Sequence, residues 1–270
     1  MFKKCLKYDF KAVFSIWWIA ALTMIILAVP SGLILRNLLL DDHSNEIFPY
    51  ETLWVFVCYF SIIAFALLTE ILIFVRYYSN FFSDEGYLTF TLPVKRSTLF
   101  FSKFVTAYLF ELMMLLVLII DFFIVMCCLP PEYMKNVMGA IFGFFSSGYA
   151  VLGPWFFVYI LEVLIILLLS VASSISMFLI ITIGGVLVKK QKLLVTIGLV
   201  YASSTVLSIL YIPLQLLYFP WALSVSYLTP ANPFVAIALI LLFFIAVQIT
   251  VFFLMLFSIL GCLERKLNLA

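Results

Sequence analysis

The chain has 270 residues, 67% of them hydrophobic and only 10% charged, with 15 basic and 13 acidic side chains and a net charge of +2. Soluble domains average about 45–50% apolar and about 25% charged residues, so this composition leaves too little polar side chain to clothe a water-soluble fold. It excludes a secreted, disordered or disulfide-stapled protein, and so small a net charge does not point to nucleic acid.

Six apolar segments are long enough to cross a membrane: 13–35, 53–75, 99–129, 152–187, 193–212 and 233–260. A crossing needs roughly 20 apolar residues. Lipid-exposed backbone must satisfy its own hydrogen bonds, so the spans are predicted as helices; a β-barrel would show short alternating segments instead. The chain therefore reads as an all-α polytopic membrane protein, with residues 1–270 forming a single transmembrane domain.

Ahead of the first span, Phe2, Leu6, Phe10 and Val13 share one helical face, and Lys3, Lys4, Lys7 and Lys11 share the neighbouring one. This pattern predicts an interfacial helix on the membrane surface with its lysines toward anionic lipid; a frayed basic flank is the plainer alternative. The first span is too long for a signal peptide and lacks a small-residue cleavage site, so it is expected to be retained. The loop after it is acidic, with Asp41, Asp42, Glu46 and Glu51 around the single histidine, His43.

The loop between the second and third spans, Ser79 to Ser97, is short, aromatic and punctuated. Ser83 followed by Asp84 and Glu85 suits a helix start, with acids at the positive end of the dipole. Pro93 stops that short helix, and Ser97 can cap the next. Such a loop either lies on the membrane or docks into a protein groove. Further along, Gly139 and Gly143 have helix-interface spacing, although one such match is weak evidence. Pro213, Pro220, Pro230 and Pro233, with Trp221 and Tyr227, suit either an interrupted segment partly buried in protein or a plain loop with interfacial aromatics.

Basic residues orient the spans. Lys3, Lys4, Lys7 and Lys11, then Arg76, Lys95, Arg96 and Lys103, then Lys189, Lys190 and Lys192, and finally Arg265 and Lys266 all fall on one side, thirteen of the fifteen. Arg36 and Lys135 fall on the other. Positively charged loops stay in the cytoplasm, so both termini are expected there.

Four acids fall inside spans: Glu70, Glu111, Asp121 and Glu162. At 1.5 Å per residue, Glu111 lies about 12 Å along its helix from Lys103, and Asp121 about 27 Å. A central charge costs about 2.5–3.5 kcal/mol on insertion scales, so these acids should face the bundle, a partner subunit or a wet cavity. Glu111 and Glu162 are candidates for a substrate path or gate. For Glu70 and Asp121 a neutral acid hydrogen-bonded within the bundle is favoured over a place on a path, and Glu70, about 9 Å from Arg76 along its helix, can also snorkel or pair. For Glu111 and Glu162 that structural role, with serines such as Ser170, Ser173 and Ser203 as partners, stands beside the path reading.

Several chemistries are missing. No Gly-Lys-Ser/Thr sequence forms a phosphate-binding loop, so ATP hydrolysis is not expected on this chain. One histidine and no metalloprotease pattern give no metal site. The serines of Gly143–Gly148 have no histidine to activate them, so an intramembrane hydrolase is not expected. Cys5, Cys58, Cys127, Cys128 and Cys262 show no disulfide framework.

The string Asp84-Glu85-Gly86-Tyr87-Leu88-Thr89-Phe90-Thr91-Leu92-Pro93, followed by Ser102-Lys103, resembles the first inner loop of permease subunits of bacterial ABC exporters, of the compact six-span type without a large extracellular domain. The ending Lys266-Leu267-Asn268-Leu269 is similar to the tail of that group. The resemblance implies that Ser83, Asp84, Glu85, Gly86, Tyr87, Leu88, Thr89 and Phe90 form a cytoplasmic coupling helix fitted to a groove on a separate ATPase subunit. It also implies a membrane-surface helix carrying Lys3, Lys4, Lys7 and Lys11, two ATPase copies and a second permease, identical or homologous. ATP and Mg would sit on the ATPase, with no cofactor on this chain, and the address would be the bacterial cytoplasmic membrane. The expected function is export of an amphipathic peptide, antibiotic or lipid-like substrate. The alternative from another class is a polytopic scaffold or assembly factor that transports nothing.

Overall fold

In the computed structural model the described residues are 2–40, 50–83, 86, 91, 94–152, 156, 160, 161, 163–165, 174–187, 198 and 233–265. Among them the regular elements are six helices and no strand: α1 Phe2–Leu40, α2 Tyr50–Phe82, α3 Arg96–Cys128, α4 Pro131–Leu152, α5 Ser174–Leu187 and α6 Pro233–Arg265. Among the described residues, four stretches are long and apolar enough to cross a membrane: Phe2–Asn37, Leu53–Phe82, Arg96–Cys128 and Ile245–Leu263. They match the first, second, third and sixth predicted spans. Apart from Gly198, the predicted span 193–212 lies outside the described residues, as do the Pro-rich segment 213–232 and much of 152–187 ahead of α5.

The N-terminal lysines stand on the first turns of α1, which runs unbroken from Phe2 to Leu40. Its 39 residues rise about 58 Å, nearly twice the roughly 30 Å hydrocarbon layer, so the lysine-bearing turns extend beyond the apolar stretch as part of the same rod. The connection between the third and fourth predicted spans is a helix, α4. Pro131 opens it with φ already set and no donor to lose, and Met134 N–H bonds back to the Pro130 carbonyl at 3.1 Å.

The chain forms two units, one of residues 1–76 with 101–146 and one of residues 77–100 with 147–270. In the first, α1 runs antiparallel to α2 and parallel to α3. Trp17 Nε1–H donates to Thr69 Oγ1 at 3.1 Å near one end of the α1–α2 pair, and Ser31 meets Cys58 near the other. Between α1 and α3, Asp9 meets Lys103 at one end and Gly32 meets Cys128 at the other.

The buried stripe of α1 is Asp9, Val13, Trp17, Ala21, Met24, Ala28 and Gly32, recurring every three or four residues as a packed helix face requires. Gly32 is needed where it stands. A Cβ there would lie 2.7 Å from Cys128 Cβ and 3.1 Å from Val125 Cα, so the absent side chain sets how closely α1 approaches α3. At the other end Phe10 stacks on Phe110 at 4.9 Å, and Trp17 meets the edge of Phe110 at 5.5 Å. By contrast, most of α4 from Pro131 to Ser146 is exposed, and Gly139 and Gly143 have nothing within 4 Å of an added Cβ.

In the second unit α5 packs along α6. The Tyr77 ring stacks on Phe178 at 4.1 Å and 14°, and Phe100 meets Tyr77 edge-on at 6.4 Å. Tyr77 Oη–H donates to Thr182 Oγ1 at 2.8 Å, whose own hydroxyl donates to the Phe178 carbonyl. Gly185 leaves room for the Phe82 ring, which a Cβ would strike at 2.2 Å. Ile181, Ile259 and Leu263 are fully buried in the same unit.

Candidate functional site

The loop singled out by the sequence leaves the end of α2. Ser83 is exposed and its hydroxyl bonds to the Ser79 carbonyl. Gly86 turns back, donating its N–H to the Ser83 carbonyl at 2.8 Å. It is buried, and a Cβ on it would sit 2.7 Å from the Phe81 carbonyl oxygen and 2.9 Å from its carbon. Backbone cannot swing aside as a side chain can, so only glycine fits this turn. Asp84, Glu85, Tyr87, Leu88, Thr89 and Phe90 lie outside the described residues.

The far side of the loop is tied down as well. Thr98 N–H and Leu99 N–H both bond to the Lys95 carbonyl, at 2.9 and 3.2 Å, starting α3. Arg96 then donates from Nη1 to the Leu263 carbonyl at 2.6 Å. The carbonyls of a helix's last turn have no partner within the helix, and a cation there also complements the dipole. The loop base is thus joined to the end of α6 as well as to α2.

The second polar cluster belongs to the other unit. Lys103 Nζ lies 2.9 Å from Asp9 Oδ1, with side chains only 7% and 10% exposed. Ser102 donates its hydroxyl to Asp9 Oδ2 at 3.0 Å, so both carboxylate oxygens are used. Each residue has a separate reason to be here: Asp9 heads the buried stripe of α1, while Ser102 and Lys103 are adjacent on the buried side of α3. Lysines 3, 4, 7 and 11 are all exposed around it.

The four intramembrane acids diverge. Glu111 is buried at 3% exposure, next to Phe110. Asp121 is buried at 8% exposure ten residues along the same helix, about 15 Å further by the helical rise, so these two acids do not share one site. Glu70 is half-buried beside the fully buried Thr69. Glu162 lies outside the described residues. Neither oxygen of Asp121 has a hydrogen-bond partner among the described residues.

Sequence reasoning missed the Asp9–Lys103 pair. The available signal was Asp9 itself, the one acid among four lysines, in helical register with Val13 and Trp17. The Arg96–Leu263 bond had no signal, because its acceptor is a backbone carbonyl 167 positions away.

Several long apolar helices crossing back and forth are the build of a multi-pass membrane protein. Comparison with protein-family models, with characterised proteins and with solved structures finds no match to this chain.

Proposed function

We propose that this chain is the transmembrane subunit of an ATP-driven ABC transporter, an exporter in the bacterial cytoplasmic membrane with both termini in the cytoplasm. In this reading the chain performs no covalent chemistry. Two copies of a separate ATPase bind ATP and Mg, close, and push on the 79–93 loop. Two permease subunits then rock between inward- and outward-facing arrangements, moving an amphipathic substrate.

The observation that carries the reading is the way the loop is rooted. Gly86 is wedged against the Phe81 carbonyl, and Arg96 holds the Leu263 carbonyl. A push on residues between them is therefore passed to α2, α3 and α6 instead of being absorbed by a slack connector. An acidic-aromatic loop with rigid roots suits a groove in a motor protein better than a free surface turn. Its resemblance to the permease coupling loop supplies the identity of that motor.

The test is affinity purification of the tagged full chain from its native membrane, with ATPase activity and subunit identity as readouts. An ATPase carrying a phosphate-binding loop is expected to co-purify. Gly86→Trp and Tyr87→Asp should each lose it, or keep it while uncoupling hydrolysis from transport. A wild-type preparation without such a subunit would leave the scaffold reading in its place, and unchanged coupling in both variants would remove the loop from the mechanism.

A further inference from the structure

We infer that α4 lies in the plane of the bilayer interface as an amphipathic helix, docked on lipid at the membrane surface opposite the N-terminal lysines. With about 3.6 residues per turn, its two faces separate cleanly. Met134, Val137, Met138, Ile141 and Phe145 fall on one half of the helix, and Glu132, Lys135, Asn136, Gly139 and Ser146 on the other. The apolar half is open in the structure, since Met134, Met138 and Ile141 are all exposed, as is Phe142 at its edge.

The far ends of α1 and α3 fix the level at which α4 starts. Only Leu129 and Pro130 separate it from α3, and Tyr133 Oη donates to the Leu39 carbonyl in the last turn of α1 at 3.4 Å. Leu39 lies about 42 Å along α1 from Lys11, and Cys128 about 38 Å along α3 from Lys103. A bilayer is about 30 Å thick through its hydrocarbon and about 40–45 Å with its headgroup layers. With the exposed lysines of α1 at one surface, α4 therefore begins at the headgroup level of the other. A helix turning back along α3 would bury one side against it. From Pro131 to Ser146, α4 is instead exposed apart from the half-buried Val137 and Gly143, so it leaves the bundle.

Three courses are open to a helix that leaves at this level. Crossing the lipid alone would carry Glu132, Lys135 and Asn136 through hydrocarbon, where charged and polar side chains are expensive. Projecting into water would expose one apolar half along the whole helix, far more than scattered surface hydrophobics. Lying along the interface satisfies both halves, with the apolar one sunk about 5–10 Å into the headgroup–acyl boundary and the polar one in water. Through the two-residue link this apolar half adjoins the exposed Phe122 and Phe123 on the last two turns of α3. One glutamate and one lysine leave α4 without net charge, so its docking rests on apolar insertion and not on attraction to anionic headgroups. This inference goes beyond ATP coupling, because it needs neither the 79–93 loop nor a partner subunit.

The test uses the full chain without its native cysteines, carrying a single new cysteine in place of Met134, Met138, Ile141, Glu132, Asn136 or Gly139. Each is labelled with a nitrobenzoxadiazole fluorophore and placed in nanodiscs of phosphatidylcholine brominated near the glycerol end of one acyl chain. Quenching by bromine is expected to be at least about twofold stronger at Met134, Met138 and Ile141 than at the other three positions. A second measurement keeps the native cysteines. With p-benzoylphenylalanine replacing Ile141 in the otherwise wild-type chain, illumination in unbrominated phosphatidylcholine should give phospholipid adducts detectable by mass spectrometry. Equal quenching at all six positions would mean a helix immersed in lipid, and none at any position a helix projecting into water. Chain-to-chain adducts in place of lipid adducts would mean that a second copy covers the face. Each of these three results would overturn the assignment.

Discussion

Asp9 and Lys103 form a buried ion pair at 2.9 Å that joins the first turns of α1 to the first turns of α3. Asp9 stands among four exposed lysines, yet it is paired with the buried one from another helix. Geometry explains the choice, because Asp9 is on the buried stripe of α1 and the four neighbouring lysines are not.

Breaking this pair should be worse than deleting it. Lys103→Met takes the charged partner from the buried Asp9 and leaves it the Ser102 hydroxyl, and removing one partner of a buried pair costs about 3–5 kcal/mol. Asp9→Asn with Lys103→Met should recover most of that loss, since the remaining groups are neutral. Thermal unfolding of the two single variants and the double variant in nanodiscs gives the coupling directly. A double variant no more stable than Lys103→Met would show that the pair acts through something other than mutual compensation.

The contact between α1 and α3 at Gly32 should tolerate nothing larger than hydrogen. Gly32→Val places carbon inside the Cys128 Cβ and the Val125 backbone, and overpacking of this kind costs about 1–3 kcal/mol. Gly139→Val, with open space around it, serves as the control on α4 and should leave the unfolding midpoint nearly unchanged.

Tyr77 separates ring packing from hydrogen bonding in the second unit. Tyr77→Phe keeps the stack on Phe178 and loses the bond to Thr182, at about 1 kcal/mol. Tyr77→Ala loses both and should cost about 3–5 kcal/mol. Similar losses from the two variants would mean that the hydroxyl, and not the ring, holds α2 to α5.

Orientation can be tested with charge-independent labels. A single accessible cysteine placed next to Lys4 and another in the 79–95 loop, in a chain lacking its native cysteines, should both resist a membrane-impermeant thiol reagent applied from outside. A cysteine next to Glu132 should react. Replacing Lys3, Lys4, Lys7 and Lys11 with Gln should weaken this asymmetry by lowering the positive-inside bias.

Local composition made much of the architecture legible. Long apolar runs specify helices because a backbone in lipid has no other way to satisfy its hydrogen bonds, and α1, α2, α3 and α6 emerge where those runs are. The helical character of 131–152 was obscured by Gly139, Gly143 and Gly148, each of which weakens a helix reading while still permitting one. The loop's Gly86 was legible as a marked position, but the reason for it, a carbonyl at Phe81, is a contact that only the turn creates.

The sequence by itself singled out the charged minority: it places thirteen of the fifteen basic residues on one side of the predicted spans as an expectation, sets four acids within the apolar runs, and makes each charge costly to place by its scarcity. Tertiary structure decided which of those charges are compensated. Asp9 finds Lys103 and Ser102 because α1 and α3 run parallel at matching height, whereas neither buried oxygen of Asp121, on the same helix as Lys103, has a hydrogen-bond partner among the described residues. Helical periodicity assigns a residue to a face, but the register between helices decides what that face meets, and register is fixed by distant contacts such as Gly32 on Cys128 and Trp17 on Thr69.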